Sequence, residues 1–170
     1  MNKHIIDNNQ FKNLLNKICR DITASNWRPD YIVGITRGGL LPAVMISQYF
    51  NVKMHSLNVS LRDSDMGPES NLWMAEDALG VYAPPKNILI VDDINDTGAT
   101  LNWIMKDWPS GCYPDGAGWK TMWGNNVRFA VVVDNLASSC EVKMDYCGME
   151  VNKAEKDVWI EFPYEEWWSK

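Results

Sequence analysis

Two rhythms of apolar residues alternate along the chain. Phe11, Leu14, Leu15, Ile18 and Ile22 recur at the spacing of an amphipathic helix. Asp7, with Gln10 three residues later, resembles a capping box at its start, and Trp27-Arg28-Pro29-Asp30 ends it. Residues 31–35 form a short continuous apolar run, read as a core strand. That strand runs through Thr36-Arg37-Gly38-Gly39 into a second helix, which holds Pro42 early and reaches Phe50. Further strands are predicted at 52–59, 88–91 and 127–133, with short candidates at 142–146 and 158–160. A helical run, 101–105, follows the strand at 88–91. Residues 62–80 are polar and punctuated by Gly67 and Pro68, and read as a long loop. Residues 108–126 are rich in glycine, proline and tryptophan and carry no assignable chemistry. Strands alternating with helices predict an α/β fold with a mostly parallel central sheet. Such a sheet takes its ligand at the carboxyl ends of its strands.

The chemistry concentrates in residues 88–101, ILIVDDINDTGATL. Asp92 and Asp93 end the apolar strand, and Asp96-Thr97-Gly98-Ala99-Thr100 leads into the helix. Free backbone N–H groups at a helix start point outward, and the helix dipole adds positive potential. Gly98 allows an oxygen close approach, and Thr97 and Thr100 add hydroxyl donors. This is an anion cradle. The adjacent carboxylates would repel a phosphate, so they call for vicinal sugar hydroxyls or Mg2+, which prefers oxygen ligands. A ribose 5-phosphate satisfies the whole stretch, with its phosphate on the turn and its 2- and 3-hydroxyls on Asp92 and Asp93. An EF-hand is excluded: counted from Asp93, the third side-chain ligand falls on Thr97 and the closing glutamate position on Ile104. Residues 36–39 form a second strand–glycine-turn–helix unit, hence a second anion site, with Arg37 as a planar donor suited to phosphate.

Apolar strand, acidic pair, two spacers, then D-T-G-x-T resembles the signature of the type I phosphoribosyltransferases, which bind phosphoribosyl pyrophosphate (PRPP). The likeness runs over about residues 31–164, excluding 108–126, which looks like an insertion relative to compact bacterial purine phosphoribosyltransferases. It implies the type I phosphoribosyltransferase fold as one domain over 1–170, with a small C-terminal hood at about 136–170. A mobile loop at about 61–80 would close over the site. Some relatives open that loop with Ser-Tyr, whereas Ser60-Leu61 stands here and lacks the tyrosine hydroxyl. The resemblance assigns the 5-phosphate to Asp96, Thr97, Gly98, Ala99 and Thr100, and the ribose, with a Mg2+ ion, to Asp92 and Asp93. It assigns the pyrophosphate to Thr36, Arg37, Gly38 and Gly39, with Arg37 and Asp96 as the catalytic pair. Asp96 would handle the proton on the purine N7.

The stretch around Trp159-Ile160-Glu161-Phe162-Pro163 resembles the hood of the xanthine–guanine and hypoxanthine branch. There the aromatic stacks on the purine and the following backbone reads its edge, which places Trp159 and Ile160 against the base. A lysine of that branch, just past the strand matching 127–133, donates to the purine 6-oxygen. Asn135 falls at that place, beside Asp134, so relaxed selectivity at position 6 is expected. The implied reaction joins a purine base, hypoxanthine, guanine or xanthine, to PRPP, giving a nucleoside 5-monophosphate and pyrophosphate. Alternatives are a PRPP-binding regulator without transfer, or a transferase for another base.

The totals fit a single enzyme domain: 170 residues give room for one α/β core. A net charge of −6 disfavours nucleic acid as the main partner, because such binders neutralise phosphates. No run of eighteen apolar residues and no signal peptide stand in the sequence, so a soluble, cytoplasmic protein away from membranes is expected. Cys19, Cys112, Cys140 and Cys147 form no C-x-x-C pair, and with only His4 and His55 beside them they make a zinc site improbable. Nine tryptophans fit core filling under long loops, or a subunit interface of a homo-oligomer, dimer or tetramer.

Overall fold

A computed structural model of the chain describes residues 1–59, 71–111 and 116–170, the side chains of residues 116 and 117 excepted. In chain order its elements are β1 (Asn2–Ile5), α1 (Asn8–Ala24), β2 (Tyr31–Ile35), α2 (Leu40–Phe50), β3 (Lys53–Leu57), α3 (Leu72–Leu79), β4 (Ile88–Asn95), α4 (Ala99–Gly111), β5 (Val127–Asn135), β6 (Tyr146–Val151) and β7 (Val158–Glu161). Short 3-10 turns cover Gly116–Thr121 and Trp167–Ser169.

Five strands form the central sheet in the order β3-β2-β4-β5-β6, and every pairing is parallel. The predicted α/β architecture is therefore present. Side chains alternate across β4 and sort the core into two layers. Leu89 and Val91 pack with Phe11 and Ile18 of α1 and Ile46 of α2. Ile88 and Ile90 pack with Met74 of α3 and Ile104 and Trp108 of α4. Helices on both faces leave the strands' carboxyl edge as the open side. β2 and β4 are neighbours there, so the two glycine turns that follow them lie side by side. Asp7 caps α1 as expected, its carboxylate accepting from Gln10 N at 2.7 Å.

Four features depart from the sequence reading. The loop expected at 61–80 has its first part, residues 61–70, outside the described residues; its second part contains α3, with Met74, Ala75 and Ala78 buried. The strand expected at 142–146 begins instead at Tyr146. Asp145 turns back on β5, its carboxylate accepting from Phe129 N at 2.7 Å. In the stretch read as an insertion, Trp108 and Trp119 are fully buried and Trp123 stacks on Phe129 with ring centroids 5.6 Å apart. These rings fill the α3–α4 face of the sheet, as core tryptophans do. Truncating such a residue costs about 3–5 kcal/mol. Trp167 and Trp168, by contrast, are 67% and 72% exposed.

The fourth departure is at the start of the chain. The polar segment Asn2–Ile5 is a strand, and it pairs in parallel with β7 in a separate two-stranded sheet. Glu161 anchors that pair. Its buried carboxylate takes Lys3 Nζ at 2.9 Å and Lys170 Nζ at 3.0 Å. The Lys3 hydrogen bond, with that from Lys170, holds the carboxyl below its ordinary range. The hood thus joins residues from both ends of the described chain, while β6 belongs to the main sheet. Among the described residues, no helix is long and apolar enough to cross a membrane.

Candidate active site

A cavity of about 720 Å3 opens at the carboxyl edge, between the two glycine turns and the hood. The first wall is the turn after β4. Gly98 has φ +87°, and a Cβ there would strike the backbone of Cys140, so the turn needs glycine on both counts. Thr97 Oγ1 accepts from Ala99 N at 3.2 Å, and α4 starts at Ala99, so the helix start lies at this turn. Asp96, Thr97, Gly98, Ala99 and Thr100 all line the cavity.

The acidic pair lies next to it, still within β4. Asp92 Oδ1 accepts from Asp93 N at 2.9 Å, and Asp93 Oδ1 accepts from Ile94 N at 2.8 Å. Burial, and then the charge of Asp93, push the Asp92 carboxyl well above the usual carboxylate range. Burial also raises Asp93, while a hydrogen bond from Tyr164 opposes the rise. Two adjacent carboxylates in this state gain most from a ligand that brings hydroxyl donors or a divalent cation. Among the described residues, no cluster of three or more His, Cys, Asp or Glu could hold a metal ion. A cation at Asp92 and Asp93 would draw its remaining ligands from substrate oxygens and water, the manner Mg2+ favours.

The second glycine turn faces the acidic pair. Its Thr36–Arg37 peptide is cis. Thr36, exposed Arg37 and Gly38 line the cavity. Gly39 does not. It is buried beneath them, its N–H donating to Ile35 O at 2.8 Å, and a Cβ would overlap the Val91 carbonyl. Its part is to let the turn lie flat against β4. The third wall is the hood, with Trp159 41% exposed and Ile160 buried behind it.

Asn135 is the one expected base reader that the fold places elsewhere. It is buried and does not line the cavity. Its amide donates to the Asp96 carbonyl at 2.8 Å, and its Oδ1 accepts from Ala137 N at 3.1 Å and Lys153 N at 3.0 Å. With both ends of the amide engaged, Asn135 braces the phosphate turn from below rather than facing a base. The residue it positions, Lys153, was not foreseen. Lys153 follows β6, lines the cavity, and sets Nζ 2.8 Å from Asp96 Oδ1. Tyr164, in the same stretch that resembles the hood but with no role expected of it, also lines the cavity. No sequence spacing signals either contact, because both are made across strands far apart in the chain.

Comparison with known proteins agrees with this geometry. The sequence profile described as the phosphoribosyl transferase domain matches residues 1–166. Xanthine phosphoribosyltransferase 1 of Saccharomyces cerevisiae is 28% identical over 122 residues, covering 60% of this chain and 58% of that protein. The bifunctional protein PyrR of Clostridium novyi is 26% identical over 163 residues, covering 91% of this chain and 86% of that one. The purine phosphoribosyltransferase of Pyrococcus horikoshii superposes with a TM-score of 0.66 at 22% identity, covering 98% of this chain and 96% of that one, and so shares its fold. With the signature turn, the acidic pair and the second glycine turn gathered on one cavity, the profile match over almost the whole length decides the matter: this chain belongs to the phosphoribosyltransferase family.

Proposed function

We propose that the protein transfers the phosphoribosyl group of PRPP to a purine base, releasing pyrophosphate. The observation that carries this reading is the convergence of four elements on a single cavity: the phosphate turn, the acidic pair, the Arg37 turn and the Trp159 wall. The backbone amides and hydroxyls of residues 97–100 would bind the 5-phosphate. Asp92 and Asp93 would accept the ribose hydroxyls and hold Mg2+. When bound, Mg2+ supplies neutralisation of the charge that builds on the departing pyrophosphate. Arg37 would donate to that pyrophosphate, and Trp159 would stack on the purine, holding it in line with the ribose. Asp96 would take the proton at N7.

The base that fits is a 6-oxopurine. Lys153 lines the same cavity as Trp159, with its ammonium 2.8 Å from Asp96 Oδ1. An ammonium has three donors and no acceptor, so it can keep Asp96 and still donate to a 6-oxygen, whereas a 6-amino group offers it nothing. The predicted ranking therefore places hypoxanthine, guanine and xanthine above adenine. Lys153→Gln supplies a donor and an acceptor and should narrow that gap by about tenfold or more. A competition assay with the four bases on both proteins tests this, and an unchanged ranking would exclude Lys153 as the reader. PRPP binding without turnover on any base would favour the regulatory alternative.

Arg37 gives an independent check. Charge on the leaving group is greatest in the transition state, so Arg37→Ala should lower kcat by about tenfold to a thousandfold. Binding of ribose 5-phosphate, which has no pyrophosphate, should hardly change. Equal losses for PRPP and ribose 5-phosphate would mean that the site itself had been disturbed.

A further inference from the structure

The side chain of Tyr164 joins three parts of the site that come from distant stretches of sequence. Its hydroxyl lies 2.9 Å from Asp93 Oδ2 and 3.2 Å from the Gly38 carbonyl oxygen. The one phenolic proton favours the shorter contact and the charged acceptor. The ring is held independently of that proton. It stacks parallel to Phe162 with centroids 5.6 Å apart, and meets Phe11 of α1 edge-on at 6.0 Å. Asp93 has its other oxygen on Ile94 N, so the hydroxyl completes the orientation of the carboxylate. Gly38 packs directly on that carboxylate, and a Cβ there would overlap Asp93 Oδ2. The Arg37 turn, the acidic pair and the segment that carries Trp159 therefore meet at a single oxygen atom.

We propose that Tyr164 is a positioning residue of the phosphoribosyl site, its hydroxyl fixing Asp93 in the orientation that receives the ribose hydroxyls. The proposal rests on the reading of the cavity as a PRPP site. Without the hydroxyl, Asp93 Oδ2 loses that donor and the carboxylate is less firmly oriented before the ligand arrives, so ligands that use the ribose bind more weakly. Ligands that use only the Arg37 turn do not.

Tyr164→Phe removes the hydroxyl and leaves both ring contacts, so it separates the two effects. Calorimetric titrations would compare the intact wild-type and variant proteins with PRPP and ribose 5-phosphate, both with Mg2+, and with metal-free pyrophosphate, alongside their melting temperatures. The expected result is a loss of about ten- to hundredfold in affinity for both PRPP and ribose 5-phosphate. Pyrophosphate affinity and melting temperature should stay close to wild type. Unchanged ribose 5-phosphate affinity would overturn the proposal, and a loss confined to pyrophosphate would assign the hydroxyl to the Gly38 turn instead. Equal loss for all three ligands with a lowered melting temperature would also overturn it, making the hydroxyl a tie of the fold alone. A wild-type protein that binds no PRPP would remove the functional reading itself, and this proposal with it.

Discussion

Replacing both carboxylates, Asp92→Asn with Asp93→Asn, should abolish useful PRPP binding and at the same time make the free protein more stable. The binding loss follows from removing two charged acceptors. Hydrogen bonds to charged groups are worth about 1.5–3 kcal/mol each, so the pair accounts for about 10²–10⁴ in affinity. The stability gain follows from burial, which raises both the Asp92 and Asp93 carboxyls above their unfolded values, and from the charge of Asp93, which adds to the rise at Asp92. A carboxyl raised on folding favours the native state only while protonated. Its contribution is complete at low pH and is lost as pH rises through the folded value. The amide variant stays neutral, so at pH 7 it should melt higher than wild type by about 2–8 °C, for about 1–2 kcal/mol. The gap should close below about pH 4, where aspartate is neutral in both states. Melting curves across that range, with PRPP titrations at pH 7, check both halves. Unchanged PRPP affinity would remove the ribose assignment, and a lower melting temperature at pH 7 would show that the pair is a structural element rather than a binding device.

The second large effect concerns turnover. Asp96→Asn should lower kcat by about 10²–10⁴ while leaving PRPP affinity within about threefold of wild type. Asp96 is held on two sides, its carbonyl by Asn135 and its carboxylate by Lys153, so its place above the turn is fixed before any ligand arrives. Asparagine keeps the shape and the backbone contact but cannot take the N7 proton. On the proposed reading the amides and hydroxyls of residues 97–100 bind the 5-phosphate, and the change leaves them in place. Rapid-quench measurement of a single turnover separates chemistry from product release. A single-turnover rate near that of wild type would send the N7 proton to another group.

The site was more legible in the sequence than its base side. Residues 88–101 declare themselves because strand, acidic pair, glycine turn and helix start are consecutive, so local geometry alone places them. The same holds for 36–39. The base side depends on direction and on distant neighbours. Asn135 was located at the right strand end, but spacing does not say whether an amide turns toward the cavity or beneath it. Lys153 reaches Asp96 because β6 happens to be the next strand in the sheet, a fact of topology rather than of sequence order. In α3, a single short apolar run ending at Gly80 was the available signal, and the polar residues before it obscured the change of rhythm. β1 carries no strand pattern at all. Asn2, Lys3 and His4 are polar, and only pairing with β7 makes them a strand.

That pairing sets an order of assembly. Asn2 lies against Val158, so almost the entire chain is enclosed between the two partners. Joining them is a distant closure, which an unfolded chain completes late. The five-stranded sheet can form beforehand and carry the turn after β4 with it, while the wall that holds Trp159 and the Tyr164 contact to Asp93 still lack their neighbour. On the proposed reading, removing residues 2–5 should therefore disturb the Trp159 wall and the Tyr164 contact to Asp93 while leaving the turn after β4 in place.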